Sequence, residues 1–121
     1  RRPARGCLVI EKGDLFWIDF GYTGEAEPGY RRPGLVVQAD SFNTSRIASV
    51  MVAPLSSNLR LGKAPGNVVL SMGETGLTRE SVVVVSQIVS VRKSRLEERI
   101  GTIDPALLLL VDHGIRLLFD V

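Results

Sequence analysis

From Asp14 onward apolar and polar residues alternate with a period of two, which predicts strands rather than helices over most of the chain. Leu15, Trp17 and Asp19 alternate with Phe16, Ile18 and Phe20, giving a first strand with both faces largely apolar. Residues 21–29 hold three glycines, Pro28 and two glutamates, the composition of a loop. Pro33-Gly34 then opens a strand over 35–38, residues 39–46 read as a turn, and a third strand over 47–53 is closed by Pro54. Residues 56–67 form a second long loop. Short strands follow over 68–70, 82–85 and 88–91, then a helical turn within 92–98 and a last strand around 99–103.

The end of the chain changes period. Asp104-Pro105 supplies an N-cap and a proline at the first helical position, where a missing N–H costs nothing. Leu107, Leu108, Val111, Ile115 and Leu118 then share one helical face. Asp112, His113, Arg116 and Asp120 share the other, with Asp112 and Arg116 at i,i+4 spacing. Short strands, loops rich in glycine and proline, and one terminal helix predict an α+β fold that is mainly β, a small barrel or strongly bent sheet. Leu109, Leu110 and Leu117 exceed what one core-facing stripe needs and suggest a dimer surface.

Composition narrows the class. At 121 residues and 45% hydrophobic, the chain is one domain able to bury a core of its own. No apolar run approaches the roughly 20 residues that span a bilayer, so no membrane role is expected. Residues 1–12 show no apolar period and read as a flexible leader, with the domain running from Gly13 to the C-terminus. The lone cysteine, Cys7, excludes an internal disulfide or a multi-cysteine metal site, and with the composition points to a reducing, cytoplasmic setting.

Net charge is only +2, but it is unevenly distributed. Residues 13–27 carry four acids and no base, whereas residues 28–73 carry five bases against Asp40 alone. The second segment is where a nucleic-acid partner would be attracted. Phosphate-binding, zinc-protease, dithiol and nucleophile-elbow motifs are all absent. The single histidine, His113, reads as a solvated residue on the polar helix face. Metal chemistry, thiol chemistry and a cofactor are therefore not expected.

The chemistry that remains lies between two loops. Gly13-Asp14-Leu15-Phe16-Trp17-Ile18-Asp19-Phe20, Glu27-Pro28-Gly29 and Arg31-Arg32-Pro33-Gly34-Leu35-Val36-Val37 occur in that order. Val52-Ala53-Pro54-Leu55-Ser56-Ser57-Asn58, Asn67-Val68-Val69-Leu70, Ser86-Gln87-Ile88 and Val111-Asp112-His113-Gly114-Ile115 follow them. This ordered set resembles the MazF/PemK family of toxin endoribonucleases, from Gly13 to the C-terminus. The resemblance implies a small SH3-like barrel of the CcdB/PemK type with a C-terminal helix, and a homodimer. It also implies metal-independent, sequence-specific cleavage of single-stranded RNA to 2′,3′-cyclic phosphate and 5′-hydroxyl ends, with neutralisation by a cognate antitoxin.

By the same resemblance Arg32, which precedes the family's proline, and Ser56, where many members have threonine, are catalytic, with the family's loop glutamate at Glu27. A guanidinium matches phosphate in a fixed fork and stays charged, so Arg32 suits the charge that builds up on the phosphate. The Ser56 hydroxyl would hold a phosphate oxygen or orient the 2′-OH. Glu27 would serve either as the base or as a partner that orients Arg32. RNA would be held by Tyr22, Tyr30, Arg31, Ser57, Asn58, Arg60 and Lys63, which supply stacking faces, hydrogen bonds and phosphate attraction.

Without the resemblance the same residues have plainer readings: Arg31-Arg32 as a solvated start to a strand, Ser56 as a turn residue and Glu27 as loop surface. Trp17, among apolar neighbours in mid-strand, reads as a core or interface anchor rather than a base-stacking platform. Two other functions fit the same fold class. A gyrase-poisoning toxin of the CcdB kind has no need of the Arg32–Ser56 pair, and a non-catalytic SH3-like module needs clustered aromatics that a 6% aromatic chain lacks.

Overall fold

The computed structural model describes residues 9–21 and 30–121. Seven strands, β1 (Asp14–Asp19), β2 (Arg31–Val36), β3 (Ser49–Ser56), β4 (Val68–Leu70), β5 (Ser81–Val83), β6 (Val89–Arg92) and β7 (Leu96–Thr102), form one antiparallel sheet. Its order is β4-β5-β3-β2-β1-β7, with β6 also paired to β3. Helices α1 (Asp40–Asn43) and α2 (Met72–Thr75) are single turns, and α3 (Pro105–Phe119) is the one long helix among the described residues.

Strand alternation divides the core in two, because neighbouring residues of a strand point to opposite faces. Leu15, Leu35, Ala53 and Leu55 face α3, where Val111, Leu107, Leu108 and Ile115 close over them. Phe16, Ile18, Val36, Val50 and Val52 face the other way and pack with Ile10 and Leu96. The helix begins as the sequence predicts, with Asp104 accepting from the Ala106 N–H at 2.8 Å. Leu118, however, is exposed, and its place on the buried stripe goes to Gly114. A Cβ on Gly114 would overlap the carbonyl oxygen of Gly66, so the helix seats directly on that loop's backbone. Asp112, expected to pair with Arg116, instead binds the Lys12 ammonium at 3.0 Å.

Two strands extend further than their prolines suggest. β2 begins at Arg31 rather than Leu35, and β3 runs through Pro54 to Ser56. In an antiparallel ladder the N–H and C=O of one residue point to the same side, and successive residues alternate sides. Tyr30 and Val36 accept from the β1 side, so Pro33 faces β3 beyond the last β2–β3 pair, Gly34 with Pro54. Pro54 faces the opposite edge, where its carbonyl accepts from Val84 at the handover between β5 and β6. Neither proline removes a bond that the sheet uses.

Other boundaries also move. Residues 40–43 are helical rather than a plain turn, Val85 leaves the strand for a 3₁₀ turn over 85–87, and β7 starts at Leu96 after a 3₁₀ turn over 93–95. The packed body also starts earlier than Gly13: Ile10 is buried, and the backbone N–H groups of Glu11 and Lys12 donate to Asp14 and Asp40. Asp14 is the buried hub of that region, held by the Arg99 guanidinium at 3.0 Å and the Thr102 hydroxyl at 2.7 Å.

Candidate nucleic-acid interface

The register of the three central strands fixes which loop residues meet. β1 and β2 pair Leu15 with Leu35, Trp17 with Pro33, Ile18 with Arg32 and Asp19 with Arg31. β2 and β3 pair Leu35 with Ala53 and Gly34 with Pro54. Continued past its last pair, that register sets Pro33 beside Leu55, Arg32 beside Ser56 and Arg31 beside Ser57. The two loops separated by over twenty residues in sequence are thus brought to one end of the sheet.

Residues opposite one another share a face, so the site has two sides. Arg31 and Ser57 share the face of Trp17, whereas Arg32 and Ser56 share the face of Ile18. A cavity of about 270 Å³ lies at this end. Trp17, Tyr30, Arg31, Arg32, Pro33, Leu55 and Ser57 line it, with residues 77–79 and Ser81 as the far wall. Of the residues expected from sequence, Tyr30, Arg31, Arg32 and Ser57 therefore come together.

Arginine over aromatic is the recurrent contact. The Arg31 guanidinium carbon lies 4.6 Å from the centre of the Trp17 ring, and that of Arg32 lies 4.9 Å from the Tyr30 ring. Such stacks are electrostatic attractions to the ring's negative face. Tyr30 in turn sits 6.3 Å from Phe20 at a 51° tilt. Arg31 also donates from Nε to Glu97 at 2.6 Å, with Glu98 3.9 Å away. Arg32 forms no ion pair among the described residues, and neither does Arg79.

Gly34 explains how the apolar side chains crowd up to Arg32. A Cβ there would come within 2.5 Å of the Ile18 terminal methyl and 3.3 Å of the Phe20 ring, so a larger residue would make the Ile18 side chain turn aside. Ser56, the final residue of β3, is nearly buried, and its Oγ accepts from the Asn58 N–H at 3.1 Å. It is a strand residue beside the cavity, not a turn residue and not part of the wall. Asn58 caps the 3₁₀ turn over 59–63 by accepting from the Arg60 N–H at 3.2 Å. Arg60 and Lys63 are exposed on that turn and are not among the residues that line the cavity. Tyr22 and Glu27 lie outside the described residues.

Two further residues line the cavity: Trp17, which the sequence favours as an anchor, and Arg79, which the sequence does not single out. Trp17 belongs to neither core cluster and is a half-buried wall of the cavity. Its signal was the alternation itself, which set it on the face of Arg31 once the register was known. Arg79 comes from the segment after α2, a helix announced only by the Ser71-x-x-Glu74 capping box.

Residues 11–119 match the family described as PemK-like, MazF-like toxin of type II toxin-antitoxin system. Endoribonuclease MazF6 of Mycobacterium tuberculosis is 40% identical over 114 residues, which is 94% of this chain and all of that protein. Endoribonuclease EndoA of Bacillus subtilis is 27% identical, covering 91% of this chain and 94% of its own length. Among solved structures, MazE-MazF of Deinococcus radiodurans superposes with a TM-score of 0.78 at 24% identity, covering 95% of this chain and 99% of that one. The chain belongs to the PemK-like, MazF-like toxin family of type II toxin–antitoxin systems.

Proposed function

We propose that this endoribonuclease toxin cuts single-stranded RNA at the cavity end of β1, β2 and β3, with Arg32 and Ser56 acting on the scissile phosphate. The reaction is transesterification: the 2′-oxygen bonds to the adjacent phosphorus, the bond from phosphorus to the 5′ oxygen breaks, and that oxygen leaves with a proton. Products are a 2′,3′-cyclic phosphate and a 5′-hydroxyl. Negative charge grows on the phosphate oxygens and on the leaving oxygen, where the Arg32 guanidinium donates. The Ser56 hydroxyl keeps its own proton free for a phosphate oxygen while its lone pair holds the Asn58 N–H. Glu27 is the candidate to take the 2′-OH proton or to orient Arg32.

What supports this reading is the β2–β3 ladder, whose last pair, Gly34 with Pro54, directs both strands to the end of the sheet where Arg31, Arg32, Trp17, Tyr30 and Ser57 line a cavity. Tyr30, Arg31, Ser57, Asn58, Arg60 and Lys63, with Tyr22 from the first loop, would bind the strand on either side of the cut. A base-reading site of this kind needs stacking faces and donors rather than a groove for duplex. The relatives at 40% and 27% identity are both endoribonucleases, which favours RNA over gyrase as the target.

The partners follow the same logic. A cognate antitoxin is proposed because the family's solved members include MazE-MazF complexes. A homodimer is proposed because Leu109, Leu110, Leu117 and Phe119 of α3 are each more than half exposed.

The test is cleavage of a long single-stranded RNA in excess EDTA by the wild type and by Arg32→Ala. Discrete cuts with cyclic-phosphate ends are expected from the wild type. Removing one donor of this kind lowers the rate about 10²–10³-fold, so the folded variant should be nearly inactive. Unchanged cleavage by a folded Arg32→Ala protein would remove Arg32 from the site. Intact RNA with the folded wild type would remove the activity.

A further inference from the structure

We propose that Trp17 is a base-stacking platform that Arg31 keeps covered in the free protein, with Glu97 as the latch holding Arg31 in place. This rests on the reading of the cavity as an RNA site and names one of its subsites.

Trp17 stands opposite Pro33 in mid-sheet, half-buried, with one face turned to a cavity of about 270 Å³. That volume lies just under the 300–1,000 Å³ usual for small-molecule pockets and suits one planar base. The ring is occupied by the Arg31 guanidinium at 4.6 Å. Asp19, which faces Arg31 directly across the ladder, is taken by Arg95 at 3.3 Å and by the Gly21 N–H at 2.8 Å. The carboxylate that sets the position of Arg31 is therefore Glu97, at 2.6 Å from Nε.

Both contacts of Arg31 have a counterpart in a nucleotide. A phosphate competes with Glu97 for the guanidinium, since either anion fits its fork of donors. A base competes with the guanidinium for the tryptophan face, since every base offers a π-surface to stack. Binding one nucleotide can satisfy both at once: Arg31 leaves the ring and Glu97 for the phosphate, and the base takes the vacated ring. Until then the stack shields an aromatic face that would otherwise be open to solvent. The Arg31–Glu97 pair is 44% exposed on each side, so the latch is weak and its release costs the substrate only a few-fold in affinity.

Trp17 is the chain's one tryptophan, so its fluorescence reports on this site alone. A 2′-O-methylated single-stranded RNA, which cannot be cut, is titrated into the full chain while binding is followed separately by anisotropy. The expected result is saturable quenching of Trp17 emission that tracks binding. Glu97→Gln should bind about two- to fivefold more tightly and show the same fall in KM for cleavable RNA with kcat unchanged. Glu98→Gln removes the same charge at the next residue without touching the 2.6 Å bond, and should shift binding less. Bound RNA with unaltered emission would overturn the platform. Equal shifts in the two glutamate variants would overturn the latch, leaving only a general loss of negative charge. A folded protein that neither binds nor cuts RNA would overturn the RNA reading of the cavity itself, a result distinct from both.

Discussion

Two rows of the same three strands, on the same face of the sheet, have opposite fates. Leu15, Leu35 and Ala53 form one row and are fully buried. Asp19 and Arg31, with Ser57 in continued register, form another row four residues along, roughly 13 Å away at strand spacing. There Arg31 and Ser57 are exposed and border the cavity. Backbone and alternation are common to both rows; the difference is what covers them. Val111, Leu107 and Leu108 of α3 close over the first, whereas the second meets charged partners, Arg95 on Asp19 and Glu97 on Arg31, beside a cavity walled by residues 77–79. One end of the sheet carries the stability and the other is left to hold charge and aromatic faces.

The comparison breaks most visibly at its covered end. Leu35→Ala should destabilise the fold by about 2–5 kcal/mol, because the residue is fully enclosed by β1, β3 and α3 and the space cannot collapse. Urea unfolding would measure it. Cleavage per folded molecule should hold, since Arg32 and Ser56 lie on the opposite face. A folded Leu35→Ala protein that has lost activity would show that the two ends are not separable.

Gly114→Ala tests how the helix is held over that row. In an open helix alanine is favoured over glycine by about 1 kcal/mol. Here the added Cβ would run into the Gly66 carbonyl, so α3 or the loop must shift, and the net change should be a loss of about 1–3 kcal/mol. The sign is what matters in a thermal melt. A stabilised variant would mean that α3 does not rest on the Gly66 backbone.

Much of this division was legible in the sequence, and the parts that were not share a cause. α3 came with its own cap and period, and β1 with its own alternation, because those signals are local. The start of β2 and the end of β3 were hidden by Pro33 and Pro54, which read as breakers until one knows which edge each faces. Trp17 read as an anchor because its neighbours in sequence are apolar, whereas its neighbours in space are Arg31 and Pro33. Arg79 is marked only indirectly, by the capping box of α2 before it, since its place in the wall depends on how residues 77–79 lead from α2 into β5. Arg60 and Lys63 show the reverse: the basic segment named them, but they sit exposed on the turn over 59–63 and are not among the residues that line the cavity. Charge can be counted along a chain, but a site is made by register.

The smallest effect sharpens the comparison at the open end. Ser56 is nearly buried, and its oxygen accepts from the Asn58 N–H, so it ties the strand to the loop that follows as well as offering a proton to substrate. Ser56→Ala should lower kcat/KM by about two- to tenfold, the scale of one hydrogen bond. Ser56→Thr should stay close to wild type, because threonine keeps the hydroxyl and its branched Cβ suits a strand. Steady-state kinetics on a short RNA separates the two jobs of the serine. Loss confined to kcat puts the hydroxyl on the reacting phosphate. Loss confined to KM would make Ser56 a clasp for the Asn58 loop, and Arg32 would then meet the phosphate without it.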